Sequence, residues 1–384
     1  MEKGFPAKKV KMILAAFVGS LVALYSARTS ARNMDWKDGV KLWSVTAVSS
    51  PGSYRAYYNL GMSYEYERGD TEKAVEAFKK SLERYDLPAT HNALGMVYLR
   101  NKRYQEALTE FIRANKGDPG LGSVYCHLGQ LYLETGDPDK AIEILEKGFM
   151  DAREEFPYYD PIPRADMRAI LGKAFFEKKD HKRAISELKA SLAIRPGDVD
   201  VCYCLGRCYA SEGMLKDSEK IFIQALRSDP GNVAIRYALA NVYLRSKEFD
   251  KAEKEYLRIL DIEPDYSDAR NNLANIYYAR GMVDMAVKEY NRVLEADPSH
   301  FKARNNLANV CLMNRDFDKA IVEYRRILDG RNSSAVVHFN LGLAYEGKGM
   351  LTKAYDEWMA ALNIDPDFVP AEEALKRIGA KKGK

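Results

Sequence analysis

The 384-residue chain is expected to fold as an all-α superhelix of stacked helical hairpins, and three observations lead there. A Leu-(Gly/Ala)-x-x-aromatic signature recurs along most of its length. About twelve residues after each small residue stands a second small one. Four residues further on comes a large apolar side chain.

The signature reads Leu60-Gly61 with Tyr64, then Leu94-Gly95, Leu128-Gly129, Leu171-Gly172, Leu205-Gly206, Leu239-Ala240, Leu273-Ala274, Leu307-Ala308 and Leu341-Gly342. Successive small residues lie 34 positions apart, except for one interval of 43 between Gly129 and Gly172. The second small residue is Ala107, Ala141, Ala184, Ser218, Ala252, Ala286, Ala320 or Ala354, and in the first unit it comes one position late, at Ala74. The large side chains that follow run from Phe78 and Phe111 to Tyr290, Tyr324 and Trp358. Each unit is thus two amphipathic helices, A and B, with apolar residues at three- and four-residue spacing. Small residues let A and B approach, the large side chain fills the space around the contact, and Pro119, Pro196, Pro230, Pro264, Pro298 and Pro366 stop helix B. One hairpin cannot bury its apolar faces alone, so neighbours must stack. This pattern resembles the tetratricopeptide repeat, with nine units over 54–369. The resemblance implies a superhelix that binds other proteins.

Two departures stand out. Nine extra residues fall near 149–165, around Phe156-Pro157-Tyr158-Tyr159-Asp160-Pro161-Ile162-Pro163. Their prolines exclude a continuous helix. An insertion tolerated on the edge of the stack is the favoured reading, and a prong for a partner is the other. Residues 370–384 read as a short helix capping the last repeat, followed by a basic tail.

Charge is unevenly placed. The net charge is +4, with +5 in residues 1–41, +3 in 370–384 and −4 in the body between. A body of that sign is a poor platform for nucleic acid. After the basic tail 1–11, residues 12–27 (MILAAFVGSLVALYSA) carry no charge. At 1.5 Å per residue they span roughly 24 Å, and Lys11 and Arg28 can snorkel to make up part of the roughly 30 Å hydrocarbon core. A retained single-pass membrane anchor is the reading preferred over a cleaved signal peptide or a soluble helix. The tight Lys8–Lys11 cluster favours an inside N-terminus, placing the repeats outside the cytoplasm.

Residues 28–53 form a junction. Gly39, Trp43 and Thr46 occupy helix-B positions, so 36–51 is an orphan helix B that starts the stack. The series Arg28-Thr29, Arg32-Asn33, Trp36, Leu42-Trp43 and then the repeats resembles the membrane-to-repeat junction of protein O-mannosyltransferase-like membrane glycosyltransferases. In that family the repeats lie on the lumenal or extracytoplasmic side. This chain lacks the family's many membrane spans and its acidic catalytic loop, so the transferase activity does not carry over. What the resemblance implies is a substrate-presenting part, or a partner subunit, of such a polytopic protein.

No catalytic residue, metal site or cofactor site is expected. No HExxH, P-loop, GxGxxG or GxSxG occurs. Asp198-Val199-Asp200 is a lone DxD in a turn, read as a helix cap with a first-turn acid. Cys202, Cys204 and Cys208 share one helix without a nearby His, and read as small packing residues. The odd cysteine count argues against a disulfide framework, which leaves a cytosolic-facing adaptor as a further alternative. Asn332-Ser333-Ser334 is a single glycosylation sequon.

The asparagines carry the functional expectation. Asn59, Asn272, Asn306 and Asn340 precede the signature Leu; Asn241, Asn275 and Asn309 follow the small residue; Asn271 and Asn305 extend the run. A 34-residue period repeats these positions along the inner face of helices A. A row of amides there can grip the backbone of an extended peptide, with Tyr237, Tyr278 and Phe339 adding aromatic contact. The row resembles the asparagine ladder in the repeat superhelix of O-linked N-acetylglucosamine transferases. The competing reading is that the amides only bridge neighbouring helices.

Overall fold

The computed structural model describes residues 38–152, 163–329 and 334–382. The tail 1–11, the apolar stretch 12–27, most of the junction, the middle of the insertion and the sequon at Asn332 lie outside the described residues. Every regular element among the described residues is helical. The chain divides into two compact units, residues 1–196 and 197–384.

The first unit opens with α1 (Gly39–Ser49), the orphan helix B expected within 36–51. Four hairpins follow: α2 (Tyr54–Ser63) with α3 (Thr71–Arg84), α4 (Pro88–Arg100) with α5 (Tyr104–Gly117), α6 (Gly122–Glu134) with α7 (Pro138–Asp151), and α8 (Pro163–Glu177) with α9 (His181–Ile194). The second unit holds five more: α10 (Val199–Ser211) with α11 (Leu215–Ser228), α12 (Val233–Arg245) with α13 (Phe249–Ile262), α14 (Ser267–Ala279) with α15 (Val283–Ala296), α16 (Phe301–Met313) with α17 (Phe317–Asp329), and α18 (Ala335–Gly347) with α19 (Leu351–Ile364). The capping helix α20 (Val369–Lys382) begins one residue before the expected boundary.

The hairpins close as the signature requires. A Cβ added at Gly61 would meet the Phe78 ring at 2.8 Å, and one at Gly95 would meet Phe111 at 2.6 Å. Helix A therefore rests its backbone on the large side chain of helix B, and Phe78, Phe111, Leu145 and Leu188 have no exposed surface. Burying each such side chain contributes roughly 1.5–3 kcal/mol. Helix starts are set by side-chain caps, with Asp70, Asp137, Asp180 and Asn232 each accepting from the backbone N–H three residues on.

The extra residue in the first repeat has a structural cause. It is absorbed in a π-helical turn, Tyr64–Arg68, at the end of α2, a device that inserts one residue without breaking the helix. The turn also serves the element before it. Glu67 accepts from the backbone N–H of Gly39 at 3.0 Å and Arg68 pairs with Asp38 at 2.5 Å, so together they secure the start of α1. No helix among the described residues is long and apolar enough to cross a membrane.

Candidate functional site

In the second unit the asparagines form hydrogen-bonded rungs. Asn241 Oδ1 accepts from the Tyr256 hydroxyl at 2.6 Å and from Asn272 Nδ2 at 3.2 Å. One repeat on, Asn275 Oδ1 accepts from Tyr290 at 2.5 Å and from Asn306 Nδ2 at 3.1 Å. A repeat further, Asn309 Oδ1 accepts from Tyr324 at 2.6 Å and from Asn340 Nδ2 at 3.2 Å. Each rung therefore ties a helix A to its own helix B through a tyrosine, and to the next helix A through an amide. Burial pushes the Tyr256, Tyr290 and Tyr324 hydroxyls above the ordinary phenol range, so they remain protonated donors.

This geometry corrects part of the peptide-binding expectation. Asn271 is only 3 % exposed; its Nδ2 donates to Asn272 Oδ1 and its Oδ1 accepts from Asn306, so both ends serve packing. Asn272 Nδ2 lies 3.2 Å from Tyr237 Oη, Asn241 Oδ1 and Tyr256 Oη. The bridging role is real, because unpaired amides between helices would be costly.

The bridging leaves a remainder. The Nδ2 groups of Asn275 and Asn309, the Oδ1 atoms of Asn306 and Asn340, and the side chain of Asn305 have no hydrogen-bond partner among the described residues, and none of these atoms is buried and unsatisfied. They belong to half-buried side chains on helices A. Tyr237 is half-buried beside Tyr266, with ring centroids 5.4 Å apart, and Phe339 is half-buried beside Phe368 at 5.6 Å. Tyr278 is half-buried on α14, outside the bonded rungs, and Asn59 in the first unit is half-buried without a described partner. The ladder's donors and acceptors thus run along α12, α14, α16 and α18, between an aromatic pair at each end.

A pattern that could have revealed the rungs stands in the sequence. The small residue is Ala, followed by Asn, in the three repeats whose helix B carries Tyr, namely Ala240-Asn241 with Tyr256, Ala274-Asn275 with Tyr290, and Ala308-Asn309 with Tyr324. Where that residue is Gly, the next is never Asn and the large side chain is Phe, Leu or Trp.

A second recurrent network was not anticipated. Arg236 pairs with Glu255 at 2.5 Å, Arg270 with Glu289 at 2.7 Å and Arg304 with Glu323 at 2.6 Å, each joining helix A to helix B. Each arginine also donates to the carbonyl of the preceding turn's proline, at Pro230, Pro264 and Pro298. Each glutamate accepts from a second arginine, Arg258, Arg292 or Arg326. A charge this enclosed persists only when paired and hydrogen-bonded.

Other sequence features settle as packing. Asp198 caps α10, accepting from Val201 N at 3.1 Å. Cys202, Cys204 and Cys208 are buried in α10, and the neighbouring Cys204 together with burial pushes the Cys208 thiol up. Among the described residues no group of three or more His, Cys, Asp or Glu side chains is placed to hold a metal ion.

A stack of two-helix hairpins with a small-to-large contact inside each hairpin defines a helical-repeat protein. Sequence models described as "Tetratricopeptide repeat" match residues 55–86, 86–149, 126–199, 175–228, 210–265, 271–336 and 335–368. The chain belongs to the tetratricopeptide-repeat family. It is similar to Superkiller complex protein 3 of Homo sapiens, 25 % identical over 194 residues that span 42 % of this chain and 12 % of that protein. It is similar to Anaphase-promoting complex subunit 3 of Schizosaccharomyces pombe, 25 % identical over 171 residues, 42 % of this chain and 23 % of that protein. The matches therefore span less than a quarter of either relative's length. The crystal structure of a tetratricopeptide repeat protein from Parabacteroides merdae ATCC 43184 shares the fold, with a TM-score of 0.51 and 15 % identity over 66 % of this chain and 97 % of that one. The chain is a repeat scaffold for protein–protein interaction.

Proposed function

We propose that the helix-A face of α12 to α18 captures extended peptide segments of partner proteins. The observation that carries this is the remainder of the ladder, amide donors at Asn275 and Asn309 and carbonyl acceptors at Asn306 and Asn340, repeating at the 34-residue period. An extended backbone offers complementary acceptors and donors whatever its side chains, so such a row grips with little regard to sequence. The test is the double variant Asn275→Asp, Asn309→Asp. A carboxylate keeps the acceptor that Tyr290, Tyr324 and the next asparagine use, but removes the outward Nδ2 donors. Screened against an immobilised library of extended peptides, the variant is expected to lose about tenfold or more in affinity with unchanged melting. Undiminished capture would reject the reading.

We further propose that residues 12–27 hold the chain to a membrane with its repeats on the extracytoplasmic side. The support is a sixteen-residue uncharged run between Lys11 and Arg28. Protease protection of intact, membrane-embedded protein decides it: digestion from outside supports this placement, whereas protection until the membrane is opened supports a cytosolic-facing adaptor. The Arg-Thr and Arg-Asn series of 28–33 favours a second reading, in which the polytopic partner is an O-mannosyltransferase-like enzyme; co-purification of such a protein would test it.

A further inference from the structure

The first hairpin position is half empty. In the four complete hairpins of the first unit, the residues of helix B that meet helix A are sealed: Phe78, Phe111, Leu145 and Leu188 are all 0 % exposed. Trp43 stands at that place in α1 and is only half-buried, as is Thr46 one turn on. Leu42 occupies the place where Glu110 and Glu187 meet a helix-A histidine or arginine, so the open seam is apolar where other hairpins are ionic.

The outer side of α1 is equally unlike its counterparts. Val45 is 56 % and Val48 83 % exposed. Arg258, Arg292 and Arg326 stand at the place of Val45, and Asp261, Glu295 and Asp329 at that of Val48. With Val40, Leu42, Trp43 and Ala47, α1 is apolar on nearly every side except at Lys41, the pattern of a helix that is covered all round. At the opposite end of the repeat series, α20 turns Glu372, Glu373, Lys376 and Arg377 outward, as a terminal cap should.

We infer that α1 is one half of a composite hairpin whose helix A comes from a second polypeptide. The repeats themselves specify that helix. It carries a Gly or Ala against Trp43, with Leu just before it, because that is what covers the equivalent side chain in every complete hairpin. It also carries an apolar residue, not Arg or His, opposite Leu42. The chain's own preceding residues do not match. In the same register, twelve positions before Gly39, stands Ala27, but Ser26 replaces the Leu and Ser30 the aromatic residue. This inference is independent of the peptide-binding face in the second unit.

The experiment places a photo-crosslinking amino acid at Val45 in the full-length chain, in intact cells of its source. Adducts are mapped by mass spectrometry, and the variant Trp43→Lys serves as a seam-breaking control. A second control, Val48→Glu, introduces the charge other helices B carry and leaves the hairpin core untouched. The expected result is an adduct to one helical segment of a second protein bearing small residues at four-residue spacing. That adduct should fall about tenfold or more in both controls. An adduct to residues 1–37 of the same chain, to a second copy, to lipid, or to nothing would overturn the inference. So would an adduct to a non-helical segment, or one that both controls leave intact.

Discussion

Asn306 reaches back across the helix-A interface, its Nδ2 lying 3.1 Å from Asn275 Oδ1 and 3.1 Å from the buried Asn271 Oδ1. The contact makes the ladder a tie between consecutive hairpins before it is anything else. Asn306→Ala strands the carbonyl of a residue that is 3 % exposed, and should lower stability by about 1–3 kcal/mol. Urea unfolding followed by circular dichroism measures this. A loss within the scatter of surface substitutions would mean the rung is ornamental, and would restore Asn271 and Asn306 as ligand contacts.

The arginine–glutamate ties should be more sensitive to loss of one partner than of the other. Glu289 accepts from Arg270 and from Arg292, each at 2.7 Å, and its side chain is 11 % exposed against 47 % for Arg292. Glu289→Ala leaves Arg270 enclosed without its counter-charge and should cost about 3 kcal/mol or more. Arg292→Ala removes a half-exposed partner and should cost under about 1 kcal/mol. Equal losses in thermal or urea denaturation would show that enclosure of Arg270 is not what makes the pair matter.

Lys247 and Arg315 hold the turns between helices A and B with φ of 60° and 62°, a left-handed backbone. The equivalent turns elsewhere use Gly213, Gly281 and Gly349 at 75–77°. A side chain at that φ costs roughly 1–2 kcal/mol, partly offset by the greater freedom of glycine in the unfolded chain. Lys247→Gly and Arg315→Gly should therefore each raise stability by about 0.5–1 kcal/mol. A drop in melting temperature for either would show that its side chain makes contacts worth more than the strain.

His127 gives the first unit an acid-sensitive contact. Burial, with Arg100 adding to it, lowers its pKa to about 4, and its ring lies against Phe111 with Nδ1 2.8 Å from Asn92 Oδ1. The folded state thus holds it neutral, whereas the unfolded chain protonates it near 6.5. Its contribution is fully present above pH 6.5 and declines as pH falls toward 4. His91 has the opposite sign: the hydrogen bond to Glu110, then that to Asp86, raise its pKa against the cost of burial, so its contribution is lost as pH rises through that raised value. Stability of the wild type minus that of His127→Gln, measured from pH 7 to 4, should shrink steadily. A constant difference would show that the imidazole is not held neutral.

The repeat was legible in residues such as Gly61 and Phe78, Gly95 and Phe111, because a small residue facing a large one at fixed spacing has few other physical uses. The orphan helix B and the cap were legible for the same reason, each being a fragment of that pattern. The π-helical turn was not, since one extra residue before Ala74 is equally compatible with a longer loop. Only the packed chain shows Glu67 holding the N-terminus of α1, which favours the turn. The arginine–glutamate ties escaped notice because charged residues on amphipathic helices ordinarily face water. Their enclosure is set by the turn carbonyls at Pro230, Pro264 and Pro298, which a single helix does not display.

The asparagines mark the boundary between the two kinds of knowledge. Periodicity by itself determined that Asn241, Asn275 and Asn309 share one line of the helix-A surface with Asn272, Asn306 and Asn340, because a 34-residue repeat returns each position to the same face. It left open whether those amides meet one another or a ligand. Tertiary structure decided that they do the first with one end and keep the other end available. An amide has a donor and an acceptor at opposite corners, and only the spacing between neighbouring helices determines which of them is occupied.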